Sequence, residues 1–207
     1  MNTKIRLSAL TLPILLLLVT ALSACSGVLT SEQPAKQYYT LMPLKNTGSA
    51  VKVDTAPALT ISVTVVPGLD TDRILALGVD ARLHRYANAR WPDHLPEVLT
   101  SVLKRSLLAS GNFSAVHSGT STGDVWGLEL EVQQFYGTRD GSGTTSSVLV
   151  EMAGELKCSG DHHQIGLSDS SRVAEERLSV IVAAHQASLD EVTRQLLARI
   201  NEICSSA

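Results

Sequence analysis

The sequence predicts an α/β sandwich in which one mixed or antiparallel sheet carries two main helices, about 95–109 and 178–203. Three observations lead there. Several stretches alternate apolar and polar residues with the period of a strand, and two others switch to helical spacing. The order is strands, helix, strands, helix, which suits a single sheet with both helices on one face.

Taken in order, Tyr38-Tyr39-Thr40-Leu41 is a first short strand, and residues 45–57, with Asn46, Gly48 and Pro57, form a polar loop. Leu59 to Val66 alternates apolar residues with Ser and Thr and is rich in β-branched side chains, a strand that Pro67-Gly68 ends. Arg73–Gly78 and Ala81–Tyr86 flank Val79-Asp80 as the arms of a hairpin. From Leu95 the period changes: Leu95, Val98, Leu99, Val102, Leu103 and Leu107 share one helical face, and Ser110-Gly111-Asn112 stops the run. Pro96 is tolerated in the first turn because the missing N–H has no partner there in any helix.

Phe113–His117 is a short strand. Val125–Tyr136 is a longer one, with Leu128, Leu130 and Val132 on one side. Asp140-Gly141-Ser142-Gly143 makes a hairpin loop, and Val148–Cys158 returns with Val148, Val150, Met152 and Gly154 on the same side. Gly160-Asp161 turns the chain, placing His162-His163 at the turn, into a strand from Gln164 to about Arg172. The last segment is the most regular: Leu178, Ile181, Val182, His185, Leu189, Val192, Leu196, Ile200 and Ile203 keep a stripe at the 3.6-residue period. Aromatics make up only 4% of the chain, so the core must be built from aliphatic side chains.

The N-terminus has the build of an export signal. Lys4 and Arg6 precede an apolar run from Leu7 to Leu22, shorter than the roughly 20 apolar residues a spanning helix needs, and small residues follow. Leu22-Ser23-Ala24-Cys25 matches the lipobox of bacterial lipoproteins, in which small side chains precede the cut and the thiol carries a diacylglycerol. The expected organisation is a signal peptide over 1–24, a lipidated tether over 25–37 and a single periplasmic domain over 38–207. Each buried acyl methylene contributes about 0.8 kcal/mol, and one chain alone is marginal, so the several chains of a lipoprotein anchor firmly. Ser26, in place of the Asp that retains enteric lipoproteins at the inner membrane, points to the outer membrane.

Cleavage removes two of the 17 Lys and Arg and none of the 20 acids, so the formal charge moves from −3 to −5. Such a mildly acidic chain has no basic stripe for nucleic acid. Cys158 and Cys204 remain as a pair, which an oxidising periplasm would join; two buried free thiols are the alternative.

No set of residues makes a catalytic centre, and no cofactor or metal is expected. Gly119-Thr120-Ser121-Thr122-Gly123 matches the nucleophile-elbow pattern, but that motif needs a strand-to-helix turn and here a strand follows Ser121. His84, His94, His117, His162, His163 and His185 lack metal-ligand spacing. Asp70-Thr71-Asp72 lacks the Gly and Glu of a calcium loop. Gly141 and Gly143 precede a strand, so they form no phosphate cradle. Glu129/Glu131 and Glu175/Glu176 face solvent. Arg90-Trp91-Pro92 leads into the first helix; a Trp there is either a packing anchor or an exposed partner contact.

The lipobox, the Tyr38–Leu41 strand soon after it, Arg90-Trp91 before an apolar helix, and the apolar run from Val182 to Ile200 together resemble the ABC-type transport auxiliary lipoproteins. The resemblance covers roughly residues 37–203. It departs at Pro92, where the family usually has Ala. It implies a fold similar to the N-terminal domain of TolB. It also implies a non-enzymatic auxiliary component of a transport system in which an MCE-domain protein and its ABC permease and ATPase move phospholipid between the membranes. The lipoprotein would sit at the outer-membrane bilayer through its acyl anchor, with Tyr39, Arg90 and Trp91 as partner-binding residues. A homo-oligomer is compatible with the family, although no residue pattern here demands one. The other reading is a different envelope assembly lipoprotein of related fold, an activator or secretion-pore component.

Overall fold

The computed structural model describes residues 35–45, 56–121 and 125–204. The signal segment, Cys25, most of the tether and most of the 45–57 loop lie outside the described residues. The strands are β1 (Gln37–Tyr38), β2 (Ala58–Val65), β3 (Arg73–Leu77), β4 (Leu83–Arg90), β5 (Ala115–Ser118), β6 (Trp126–Arg139), β7 (Thr145–Cys158) and β8 (Asp161–Arg172), with helices α1 (Leu95–Ala109) and α2 (Leu178–Cys204).

The spine of the mixed sheet is β6. Along one side it pairs antiparallel with β7, which pairs antiparallel with β8. Its other side is shared: β2 runs parallel to Trp126–Val132, and β3 runs parallel to Gly137 and Thr138. The chain leaves this edge after Val66, whose N–H still donates to the Val132 carbonyl, and rejoins it at Ala76. The sheet continues outward from β2 to β5 and from β3 through β4 to β1.

Alternation decides which face is covered. Leu59, Ile61 and Val63 of β2, Leu128, Leu130 and Val132 of β6, and Val148, Val150 and Met152 of β7 are buried, while Thr64, Glu129 and Glu131 point to solvent. Helix α1 lies on β2 and β5, and α2 lies on β6, β7 and β8. The two buried stripes, Leu95 to Leu107 and Ile181 to Ile200, match the sequence periodicity.

The strands run longer than apolar content suggests. Backbone pairing continues through Thr145-Ser146-Ser147 and through Asp161-His162-His163, because a ladder needs amides and carbonyls rather than apolar side chains. His162-His163 therefore lies in β8 and not at a turn; the turn is Ser159-Gly160, both with positive φ. Strand β4 reaches Arg90 rather than Tyr86, passing through Asn88 in the left-handed region.

Cys158, at the end of β7, and Cys204, at the end of α2, form a disulfide with Cα atoms 5.9 Å apart. It ties the last turn of the helix to the sheet beneath it.

Candidate functional site: the junction between tether and domain

The chain enters the folded domain at β1, and the residues that secure this point come from four segments. Gln37 and Tyr38 pair in parallel with Ala89 and Arg90, and the Tyr39 N–H donates to the Arg90 carbonyl at 2.8 Å. The Arg90 guanidinium donates to the Asp72 carboxylate, and the Trp91 N–H donates to the Asp72 carbonyl at 2.8 Å. Further along the same two segments, His94 Nδ1 lies 2.7 Å from Asp70 Oδ1, and the Leu95 N–H reaches the Thr71 carbonyl. The Asp70–Asp72 turn is thus a clip on the segment that leads into α1, not a cation loop.

The electrostatics follow from these pairs. Partial burial raises the Asp72 pKa, but the hydrogen bond and charge of Arg90, with Arg73 beside it, outweigh that and hold it below the ordinary carboxylate range. The hydrogen bond to Asp70 raises the pKa of His94.

Beyond Tyr39 the chain runs on into the seam between α1 and α2. Leu41 is fully buried there. The Gln186 side chain of α2 accepts from the Met42 N–H at 2.7 Å and donates to the Met42 carbonyl at 3.0 Å, so one amide satisfies both backbone groups of an extended residue. The Leu44 N–H donates to the Ser106 hydroxyl of α1 at 2.9 Å. Gln195 repeats the Gln186 arrangement with Ser168 on the outer edge of β8. Nine residues correspond to about 900° of helical rotation, so the two glutamines project from opposite flanks of α2. A groove of about 270 Å³ opens beside the segment, lined by Leu41, Pro92, Glu97, Val98, Ser101 and Arg105 among others.

Of the three residues singled out for partner contact, Tyr39 and Arg90 meet at this junction. Trp91 does not face a partner: it is 1% exposed and is a packing anchor. Its ring meets Phe135 edge-on at 5.9 Å and His185 at 5.6 Å, and Phe135 and His185 lie 5.0 Å apart. The His185 Nδ1–H donates to the Ile181 carbonyl at 2.9 Å, while Nε2 is buried without a hydrogen-bond partner. Burial pushes the His185 pKa down to about 4, so the ring is neutral. His185 is thus a packing residue on the apolar stripe, as expected, but with only one of its two ring nitrogens satisfied.

The other candidates are dispersed. The Ser121 hydroxyl donates to the Val125 carbonyl at 2.7 Å, and β6 follows it. His162 pairs with Glu155 on the open face of the sheet. Among the described residues no group of three His, Cys, Asp or Glu stands close enough to hold a metal ion. Asp72 stood out only within the Asp70-Thr71-Asp72 turn, with no sign of its pairing to Arg90, and Gln186, 144 positions from Met42, has nothing local to mark it.

Residues 39–197 match the family described as "ABC-type transport auxiliary lipoprotein component". Among solved structures, a crystal structure of an uncharacterized protein is similar with a TM-score of 0.66 at 17% identity, over 81% of this chain and 99% of that one. A crystal structure of a Xanthomonas campestris protein assigned to the DUF330 family is similar with a TM-score of 0.64 at 19% identity, over 79% of this chain and 94% of that one. A comparison with curated proteins finds no significant match.

Proposed function

Because the chain belongs to the ABC-type transport auxiliary lipoprotein family, it is an auxiliary component of an ABC-type transport system, and we propose that it serves that system as a non-catalytic adaptor held at the outer membrane by lipidated Cys25. In this reading the signal over 1–24 is removed, residues 25–37 are the tether, and the domain faces the periplasm. The system is of the MCE type and moves phospholipid between the two membranes. The domain receives or steadies the MCE-domain protein that bridges them.

The observation that carries the proposal is the family match over residues 39–197, most of the folded domain, beginning at the junction residue Tyr39. The lipobox and Ser26 support the anchoring and its side. The junction supports an adaptor: a load on the tether passes into β1 and β4 and, through Gln186 and Ser106, into both helices.

The test is co-purification of a functional tagged protein from crosslinked membranes. Recovery of an MCE-domain protein with its permease and ATPase is expected. Recovery of a secretion-pore or assembly complex instead would assign the chain to another envelope machine, and recovery of no MCE or ABC component would overturn the proposal.

A further inference from the structure

An edge strand leaves half of its backbone N–H and C=O groups unpaired, and folded proteins blunt such rows with short strands, bulges, charges or proline. The outer strands β1 and β5 follow that pattern. β5 has four residues and β1 only two. β1 lies along the last two residues of β4, a strand interrupted by a register shift against β3 and by Asn88 in the left-handed region. β8 differs. It has twelve residues and pairs only with β7, in a ladder without a register shift. From Gln164 to Ser168 it carries no charge and no proline.

Two contacts fix the direction of its free groups. The Val173 N–H, just past the strand, donates to the Ser146 carbonyl at 2.9 Å, so odd-numbered residues turn their backbone groups towards β7. Ser168 turns outward: its N–H donates to Gln195 Oε1 at 3.3 Å, and its carbonyl accepts from Gln195 Nε2 at 3.1 Å. By the same alternation Gln164, Gly166 and Ser170 also present their backbone groups outward, and these have no partner among the described residues. Gly166 is a second, independent sign. Glycine inside a strand marks a bulge, a bend or the close approach of another backbone. The ladder is unbroken at Gly166, and a Cβ placed there would meet nothing within 4 Å, so nothing inside the domain accounts for the missing side chain.

Gln195 guards the middle of this row. Glu191 Oε1, one turn earlier on α2, lies 3.5 Å from its Nε2, so the amide has a second acceptor on its own helix when it leaves Ser168. An incoming strand exchanges the bonds of one glutamine for a ladder reaching from Gln164 to Ser170. A two-fold pairing of β8 with itself must displace two glutamines for a ladder of the same length, which favours a strand from a different chain.

We infer that the outer edge of β8 is a docking site for an extended segment of a partner polypeptide, which joins the sheet through main-chain hydrogen bonds after displacing Gln195. Gly166 and Ser168 leave room beside it, so the segment is recognised by its extended backbone rather than by its charge. The inference rests on the adaptor reading only for the system to which that partner belongs.

The test uses the full-length protein in its own cells, with a photo-crosslinking amino acid at position 166, where there is room for it, or at exposed position 117 on the β5 edge as control. Adducts are identified by mass spectrometry of the crosslinked peptides, beside co-purification of the transport components. One partner segment is expected at 166, captured several-fold more than at 117. Ser170→Pro removes an outward N–H and spares the inward ladder, so it should lower the adduct several-fold with the domain still folded by circular dichroism. Ser170→Ala, which keeps the N–H, should not lower it. Gln195→Ala removes the guard and should raise the adduct several-fold. Equal capture at 117, or an adduct at 166 that responds to neither Ser170→Pro nor Gln195→Ala, would overturn the docking site. So would an absent adduct while the transport components still co-purify, which leaves the adaptor reading standing. An adduct at 166 to a second copy of this chain would overturn it as well. Capture at 166 of a protein from outside ABC transport, lowered by Ser170→Pro, would keep the docking site and overturn the adaptor reading.

Discussion

The sharpest stability prediction concerns His185. Its ring is wholly buried against Trp91 and Phe135, its Nδ1–H is committed to the Ile181 carbonyl, and its Nε2 has no acceptor to share a proton with. The folded-state pKa of about 4 lies below the ordinary 6.5 of the unfolded chain. Between these values the unfolded chain binds a proton that the folded chain refuses. Stability is therefore full above pH 6.5 and falls as the pH drops towards 4. The linkage integral amounts to about 2 kcal/mol lost by pH 5 and about 3 kcal/mol by pH 4. Urea unfolding of the wild type and of His185→Leu at pH 7, 5 and 4 isolates this contribution, because every other titrating group is common to both proteins. Leu costs some stability at pH 7 through lost ring contacts, yet the gap between the two proteins should narrow by the stated amounts in acid. A gap that stays constant from pH 7 to pH 4 would refute the buried neutral state.

Three further outcomes are expected. Replacing Cys158 and Cys204 with Ser opens a loop whose ends are 46 residues apart, and should cost about 4 kcal/mol in the chain-entropy treatment, read as a lower urea midpoint. Gly154→Ala would place a Cβ against the Glu129 carbonyl, 2.9 Å from its carbon and 3.0 Å from Leu130 Cα, where backbone rather than a flexible side chain must yield; a loss of about 1–3 kcal/mol is expected in thermal melts, and a neutral result would show that β6 and β7 can separate there. Cys25→Ser should leave the domain folded and exported but no longer attached through acyl chains, checked by membrane fractionation with circular dichroism; loss of the fold would contradict the separation of anchor from domain.

Local sequence determined the helices here. The stripes from Leu95 to Leu107 and from Leu178 to Ile203 are set by side-chain burial at a fixed period, and they match α1 and α2 to within two residues. The same holds for the inward faces of β2, β6 and β7, because alternation is a property of the chain itself. Strand ends were less legible. Thr145-Ser146-Ser147 and Asp161-His162-His163 are polar, and only the neighbouring strand turns them into a ladder.

Tertiary structure alone decided the rest. It divided one edge of β6 between β2 and β3, and it withdrew Trp91 into the core beside His185 from nearly a hundred residues away. It also made a junction from Tyr39, Asp72, Arg90 and Gln186, residues with no common local pattern. The physical reason is the range of the interactions. Periodicity and lipobox chemistry reside in neighbouring residues, whereas hydrogen bonds between distant segments arise only after a sheet has brought those segments together.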